Sequence, residues 1–234
     1  MPAAAGTGGG PATALAINMH LVWTGVAHVL AAPGDHSLGF VLQEAAHGEI
    51  FVFGNSAAGN DSVLFDSRTA AVPLPGGAYS FTGTKIFTSL SPEWTRRGIF
   101  GKDAQAREGE GELVHGFISR EAAGYAILDD WSTLGMRASQ SNTTVLDGAE
   151  VPPERIFRKL PVGPNADPLI FAIFACFETL LAGVYTGIGE RALNLGVEAV
   201  KRRTSFKNAG RSYAQDPDIR WKVSQTCGAE GQRN

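Results

Sequence analysis

Near the start of the chain, apolar residues recur at helical spacing. Ala14, Leu15, Ile17, Leu21, Val22, Val26, Val29 and Leu30 share one face, and Pro33-Gly34-Asp35 stops the run. The pattern predicts a helix over 11–32 with Pro11 in its first turn. A shorter helix follows over 37–46, with Leu38, Val41, Leu42 and Ala45 on one face and Gly48 closing it. From Glu49 the period changes to two. Ile50 to Phe53, Tyr79 to Thr88, Ile99-Phe100, Leu113 to Ser119, Tyr125 to Leu128 and Thr143 to Leu146 read as strands. Gly76-Gly77, Gly109-Glu110-Gly111, Gly124 and Asp147-Gly148 separate them, which predicts an antiparallel all-β unit ending at about Pro153.

The helical period then returns. Asp167-Pro168 pairs an N-cap residue with a first-turn proline, and apolar or small residues run almost unbroken to Val200. Lys201-Arg202-Arg203 closes the run with cations suited to a helix C-terminus. Such a helix spans roughly 50 Å and demands neighbours. Its segment Leu169 to Ile188 also has the length of a membrane span. Glu178 at the centre costs about 2.5–3.5 kcal/mol in a bilayer, so a helix of a bundle is the favoured reading. Gly183 and Gly187 permit close approach in either setting. A last helix is expected after Asp216-Pro217, with Ile219, Trp221 and Val223.

Composition narrows the function classes. The 234 residues are 44% hydrophobic and 18% charged, with a net charge of −3, which gives no field for nucleic acid. Cys176 and Cys227 lie far apart and form neither a disulfide framework nor a CxxC metal site. His20, His28, His36 and His47 lack metal-ligand spacing, so no metal is expected. The N-terminal residues lack a basic, apolar leader, which places the chain in the cytoplasm as an expectation, with no membrane partner.

Three stretches carry a resemblance. Trp131-Ser-Thr-Leu-Gly-Met-Arg-Ala-Ser-Gln-Ser141, followed by Val151-Pro-Pro-Glu154, is similar to a W-x-x-x-G-M-R-x-[ST]-x-S block and its closing VP-x-E. Gly83-Thr-Lys-Ile-Phe-Thr-Ser89 with Trp94 resembles a G-x-K-x-[WF]-[IT]-[ST] strand. Gly187-Ile-Gly-Glu-Arg-Ala-Leu193 and Arg203-Thr-Ser-Phe206 resemble a G-x-x-x-x-A-L … R-x-[ST]-F helix. In this order they resemble the acyl-CoA dehydrogenase family of flavoproteins over residues 12 to about 224. The resemblance implies an α+β fold of three parts. Residues 1–48 would end an N-terminal helical domain, 49–160 form the central β domain, and 161–234 begin a C-terminal helical bundle. It implies FAD, an acyl-CoA substrate, homo-oligomers, and an electron-transfer partner or oxygen as acceptor. The usual reaction is α,β-dehydrogenation of an acyl thioester. The chain reads as truncated at both ends of that family pattern. A flavin monooxygenase on the same fold, or a non-catalytic remnant, stands as the alternative.

The resemblance also assigns residues. Phe53 and Phe87 would pack against the flavin, with Thr88 or Ser89 offering a hydroxyl to its edge. Strand alternation places Lys85, Phe87 and Ser89 on one face and Ile86 and Thr88 on the other. A core phenylalanine with sheet-surface hydroxyls is the plainer reading. Ser56, Gly59 and Asn60 match a loop over the cofactor and substrate. Here Ala57 stands for the family's acid and the loop is two residues shorter, so a strand-ending turn explains it as well. Arg203, Ser205 and Phe206 would reach the FAD diphosphate of a neighbouring subunit, or the basic run simply closes the helix. Met136 and Arg137 would fix the loop at the substrate mouth. Glu178, a lone acid in an apolar helix, is a candidate general base with a raised pKa, or a paired structural carboxylate.

Overall fold

The computed structural model describes residues 10–106 and 111–231, with side chains to 226. The sequence readings of a leader and of a truncated end rest partly on residues 1–9 and 232–234, outside the described residues, as does the Gly109-Glu110 turn. Helix α1 is Pro11–Ala31 and α2 is Gly39–Ala46. Eight strands follow: β1 Phe51–Phe53, β2 Ala70–Pro73, β3 Tyr79–Thr88, β4 Arg96–Asp103, β5 Glu112–Ser119, β6 Tyr125–Ile127, β7 Asn142–Val151 and β8 Ile156–Pro161. Helix α3 is Pro168–Arg202 and α4 is Pro217–Gly231.

The strands form one sheet in the order β6-β7-β3-β2-β4-β5-β8, with β1 also beside β4. The sheet is mixed, which corrects the antiparallel expectation. Strands β1 and β2 both run parallel to β4, because the chain between them loops over 54–69 without reversing. The remaining pairs are antiparallel. The architecture is α+β.

Helix α1 lies on this sheet through Trp23. Its indole N–H donates to the Val52 carbonyl at 3.0 Å, and its ring meets Phe53, Phe117 and Phe157 at 5.5, 4.8 and 5.9 Å. That anchor sets the rotation of the helix. Val22, Trp23, Val26 and Leu30 are buried, whereas Ile17, Leu21 and Val29, expected on the same face, are exposed. Both α1 and α3 are long and apolar enough to cross a bilayer by length and composition, and half of the apolar window of α1 is buried inside the protein. Under Trp23 the sheet must be bare: a Cβ at Gly98 would sit 2.3 Å from the ring. Gly98→Ala is therefore expected to cost about 1–3 kcal/mol or more. Urea unfolding checks it, and an unchanged midpoint would contradict the contact.

Ion pairs tie the helical hairpin to the strands. Glu44 accepts from Arg155 at 2.6 Å and Arg96 at 3.1 Å. Burial opposes ionisation of Glu44, but the two guanidiniums hold its carboxyl below the usual range. The hydroxyl and backbone N–H of Ser37, and then Arg158, hold Asp35 at about 2. Both folded values lie below the unfolded ones of about 3.9 for Asp and 4.3 for Glu. The carboxylates thus stabilise the fold above those values, and the contribution is lost as pH falls through the folded ones. The thermal midpoint is expected to drop steadily from about pH 5 toward pH 2, and Asp35→Asn to flatten the curve. A flat wild-type profile would contradict this.

The chain divides into two compact units within α3, between Leu181 and Ala182. In the first, Leu169, Ile170, Ala172 and Ile173 of α3 enter the core, and Asn18 donates to the Leu180 carbonyl at 2.8 Å. In the second, the chain after α3 reverses through a Thr204–Ser212 bridge. The Ser212 hydroxyl donates to the last carbonyls of α3 at Val200 and Lys201.

Candidate functional site

The end of β3 departs from simple alternation. Lys85 pairs with Thr144 and Thr88 with Asn142, so three steps on β3 oppose two on β7. This bulge is closed by Phe87 in the left-handed region, at φ 57°. Lys85 and Thr88 consequently both point inward and are fully buried, while the Phe87 ring is 57% exposed. The expected grouping of Lys85 with Phe87 is corrected by the extra residue. Thr88 is engaged inside the sheet, where its hydroxyl accepts from Arg97 at 3.1 Å.

Beside the bulge lies the 131–141 segment. Phe87 meets Trp131 edge-on at 6.1 Å. The Trp131 indole donates to the Met136 carbonyl at 3.1 Å, and its backbone N–H to the Asn142 side chain. Leu90 and Ser91 donate backbone N–H groups to the carbonyls of Ser139 and Gln140. Leu90, Met136 and Gln140 share the left-handed backbone of Phe87. Each such residue costs of order 1–3 kcal/mol, and clusters of them mark functional sites. Between the segments runs a chain of buried hydroxyls, Ser89 to Ser141 at 2.8 Å and Ser141 to Ser139 at 2.6 Å. Arg137 is exposed and donates to the Thr133 carbonyl.

The turn after β1 supplies a second wall. It borders a cleft of about 180 Å³ whose apolar lining includes Phe53, Leu64, Ile173, Phe174 and Phe177. Phe53 and Phe177 are 5.4 Å apart. Asn55 also lines the cleft, is 4% exposed, and has no partner for either its amide nitrogen or its oxygen. Sequence reasoning passed over it, because Gly54-Asn55 reads as an ordinary strand end. Ser56 is exposed on the cleft and its carbonyl accepts from Ile86 N–H at 2.9 Å, which lays the turn against β3. Asn60 uses its amide on its own loop, donating to Val63 and Asp66 carbonyls. Gly59, at φ 69°, lets the loop turn close to Arg68.

Glu178 sits at the rim of this cleft and is exposed. The expectation of a buried carboxyl is corrected: in the first unit the buried residues of α3 are Leu169, Ile170, Ala172 and Ile173, so the apolar sequence around Glu178 does not bury it. Arg203, Ser205 and Phe206 lie in the second unit. Arg203 is exposed, Ser205 accepts from Asn208 N–H, and the Phe206 ring is wholly exposed. Among the described residues no three His, Cys, Asp or Glu side chains converge as metal ligands.

The chain superimposes on butyryl-CoA dehydrogenase from Megasphaera elsdenii with a TM-score of 0.76 at 16% identity, covering 95% of this chain and 56% of that one. This is the acyl-CoA dehydrogenase fold. The same fold is found in KijD3 in complex with FMN and a dTDP-amino-keto sugar (TM-score 0.73, 21% identity, 98% and 57% coverage). It recurs in FMN-bound TdsC from Paenibacillus (0.71, 22%, 92% and 54%). By sequence, the chain is 30% identical over 152 residues to dibenzothiophene monooxygenase from Rhodococcus erythropolis, covering 62% of this chain and 36% of that protein. It is 31% identical over 157 residues to L-evernosamine nitrososynthase from Micromonospora, covering 65% and 36%. The chain thus spans about 36% of the length of these relatives. No family model matches it.

In this acyl-CoA dehydrogenase-fold chain the sheet interior carries an unusual charge. Lys85 and Arg97 are both fully buried, and among the described residues neither makes an ion pair. Burial, and then the neighbouring Arg97 charge, pull Lys85 down to about 7, and burial pulls Arg97 to about 9. His115 stacks on Phe100 at 5.1 Å with neither ring nitrogen partnered, and burial lowers it to about 3, so it is neutral.

Proposed function

We propose that this chain forms the β-domain part of a flavin-dependent monooxygenase of the acyl-CoA dehydrogenase fold. The observation that carries the reading is the buried, unpartnered Asn55 amide at an aromatic cleft, on a turn laid against the Phe87 bulge. An orphaned amide offers a donor and an acceptor to a planar heterocycle with the complementary edge. Phe87 and Trp131 offer an aromatic edge on the bulge segment against which that turn is laid. These residues suit an isoalloxazine ring. FMN is the proposed form, in place of the FAD expected from the motifs, supported by the FMN complexes of KijD3 and TdsC.

Bound reduced flavin supplies the electrons with which dioxygen gives one atom to the substrate and the other to water. The protein's share is to hold the ring, exclude water and move protons. Asn55 would hold the ring edge, and the hydrogen-bonded Ser89–Ser141–Ser139 hydroxyls would relay a proton. The monooxygenase and nitrososynthase names of the sequence relatives support oxygen chemistry. Arg203, Ser205 and Phe206 are proposed to act in a homo-oligomer, where an exposed phenylalanine and a guanidinium would meet a neighbour's cofactor.

The test combines the purified chain with FMN or FAD, a supplied flavin reductase, and dibenzothiophene or indole as probe. Flavin bands retained on the protein and oxygen uptake that rises with the probe are the expected result. Retained flavin bleached anaerobically by butyryl-CoA would instead favour α,β-dehydrogenation. That second reading rests on Glu178 at the cleft rim, and it requires Glu178→Gln to abolish the bleaching.

A further inference from the structure

We propose that Arg97, assisted by Lys85, is a positioning residue that clamps the turn after β1 to the bulge of β3, setting the distance between the Asn55 amide and the Phe87–Ser89 segment. Arg97 donates through one nitrogen to both sides, the Gly54 carbonyl at 2.9 Å and the Thr88 hydroxyl at 3.1 Å. Lys85 donates to the Asn55 carbonyl at 3.3 Å, from the strand position that opens the bulge. The two surfaces are in direct contact. A Cβ at Gly54 would stand 2.7 Å from the Thr88 hydroxyl oxygen, although Gly54 has no left-handed backbone that would call for glycine.

The charges make a purely structural explanation a poor one. An isolated buried cation is costly even after relaxation, and well-packed apolar residues in place of buried ionic groups are often neutral or stabilising. Here a guanidinium and an amine are buried side by side without a carboxylate, and their hydrogen bonds end on the turn and the bulge. Their burial is severe enough to pull both groups well below their ordinary pKa values. What the charges secure is a geometry: charge-assisted donors hold backbone carbonyls in one place more firmly than apolar contacts do. The bulge itself has a left-handed non-glycine residue at Phe87 that relaxes unless its surroundings fix it.

The functional consequence rests on the flavin reading above; the clamp does not. The test therefore begins without cofactor. In the flavin-free chain, hydrogen exchange is followed by mass spectrometry for Arg97→Met, Arg97→Lys and Gly54→Ala. Arg97→Met is expected to speed exchange at least tenfold in both 54–61 and 86–91, leaving α1 and β5 peptides as in the wild type. Arg97→Lys should restore part of that protection. Gly54→Ala forces the turn from the bulge without altering charge, and should speed exchange in the same two segments even where Arg97→Met does not fold. FMN affinity should fall at least tenfold in Arg97→Met and recover in part in Arg97→Lys. Unchanged exchange in both segments, or an increase shared equally with α1 and β5, overturns the clamp. A wild type that binds no flavin removes the functional reading, while the exchange data still decide the clamp.

Discussion

Asn55→Ala is expected to lower the oxygenation rate by about 10²–10³-fold, the effect of removing one preorganised donor from a water-excluded site. Asn55→Leu should lose the same activity and yet gain stability. The Asn55 amide is buried with both polar atoms unpartnered, and such a group costs about 1–3 kcal/mol. A leucine fills similar space without that cost and adjoins the apolar lining at Phe53 and Ile173. At about 2–4 °C per kcal/mol for a protein of this size, the melting temperature should rise by several degrees. Opposite movement of rate and melting temperature marks a residue kept for function at the expense of the fold. If both fall together, the amide has a structural partner and the site reading loses its main support.

Trp23→Ala should be the most destabilising single change in the first unit. The side chain is 1% exposed, joins α1 to three aromatic rings of the sheet face, and donates to the Val52 carbonyl. Emptying such a position costs about 3–5 kcal/mol, and the orphaned carbonyl adds to it. Guanidinium unfolding should show that loss at an unchanged m-value. Trp23→Phe should recover much of the packing but not the hydrogen bond. A loss below about 1 kcal/mol in Trp23→Ala would mean that α1 is held elsewhere.

The elements legible in the sequence are those whose pattern was long enough to average over exceptions. Helices α1 and α3 and strand β3 announce themselves through period, flanking prolines and glycines. Strand β2 does not: Ala70–Pro73 is four residues long and poor in strand formers, and pairing with β3 and β4 makes it a strand. Strand β8 follows Pro152-Pro153, which reads as an ending, and carries Arg158 and Lys159 in its middle. The site was legible only in part. Phe87 and Ser89 stand out by motif, but nothing local signals the bulge that turns Thr88 inward, since Ile86-Phe87-Thr88 alternates perfectly well. Asn55 is invisible because its importance lies in a missing partner, a property of three dimensions. Glu178 illustrates the converse. Apolar neighbours in sequence suggest burial, whereas a helix has a side that its own sequence does not identify.

The sheet ends at β6 on one side and β8 on the other, and both borders are poor templates for a further chain. Strand β6 has three residues, too short to recruit a stable partner. Strand β8 is longer, but Arg158 is drawn to Asp35, and Lys159 donates to the Tyr79 hydroxyl at 2.7 Å. These cations decorate the one border long enough to nucleate intermolecular pairing. Without them that border would be open to pairing with another chain, and Asp35 would lose its tie to the sheet. Resistance to that pairing is written into the last strand of the sheet in chain order.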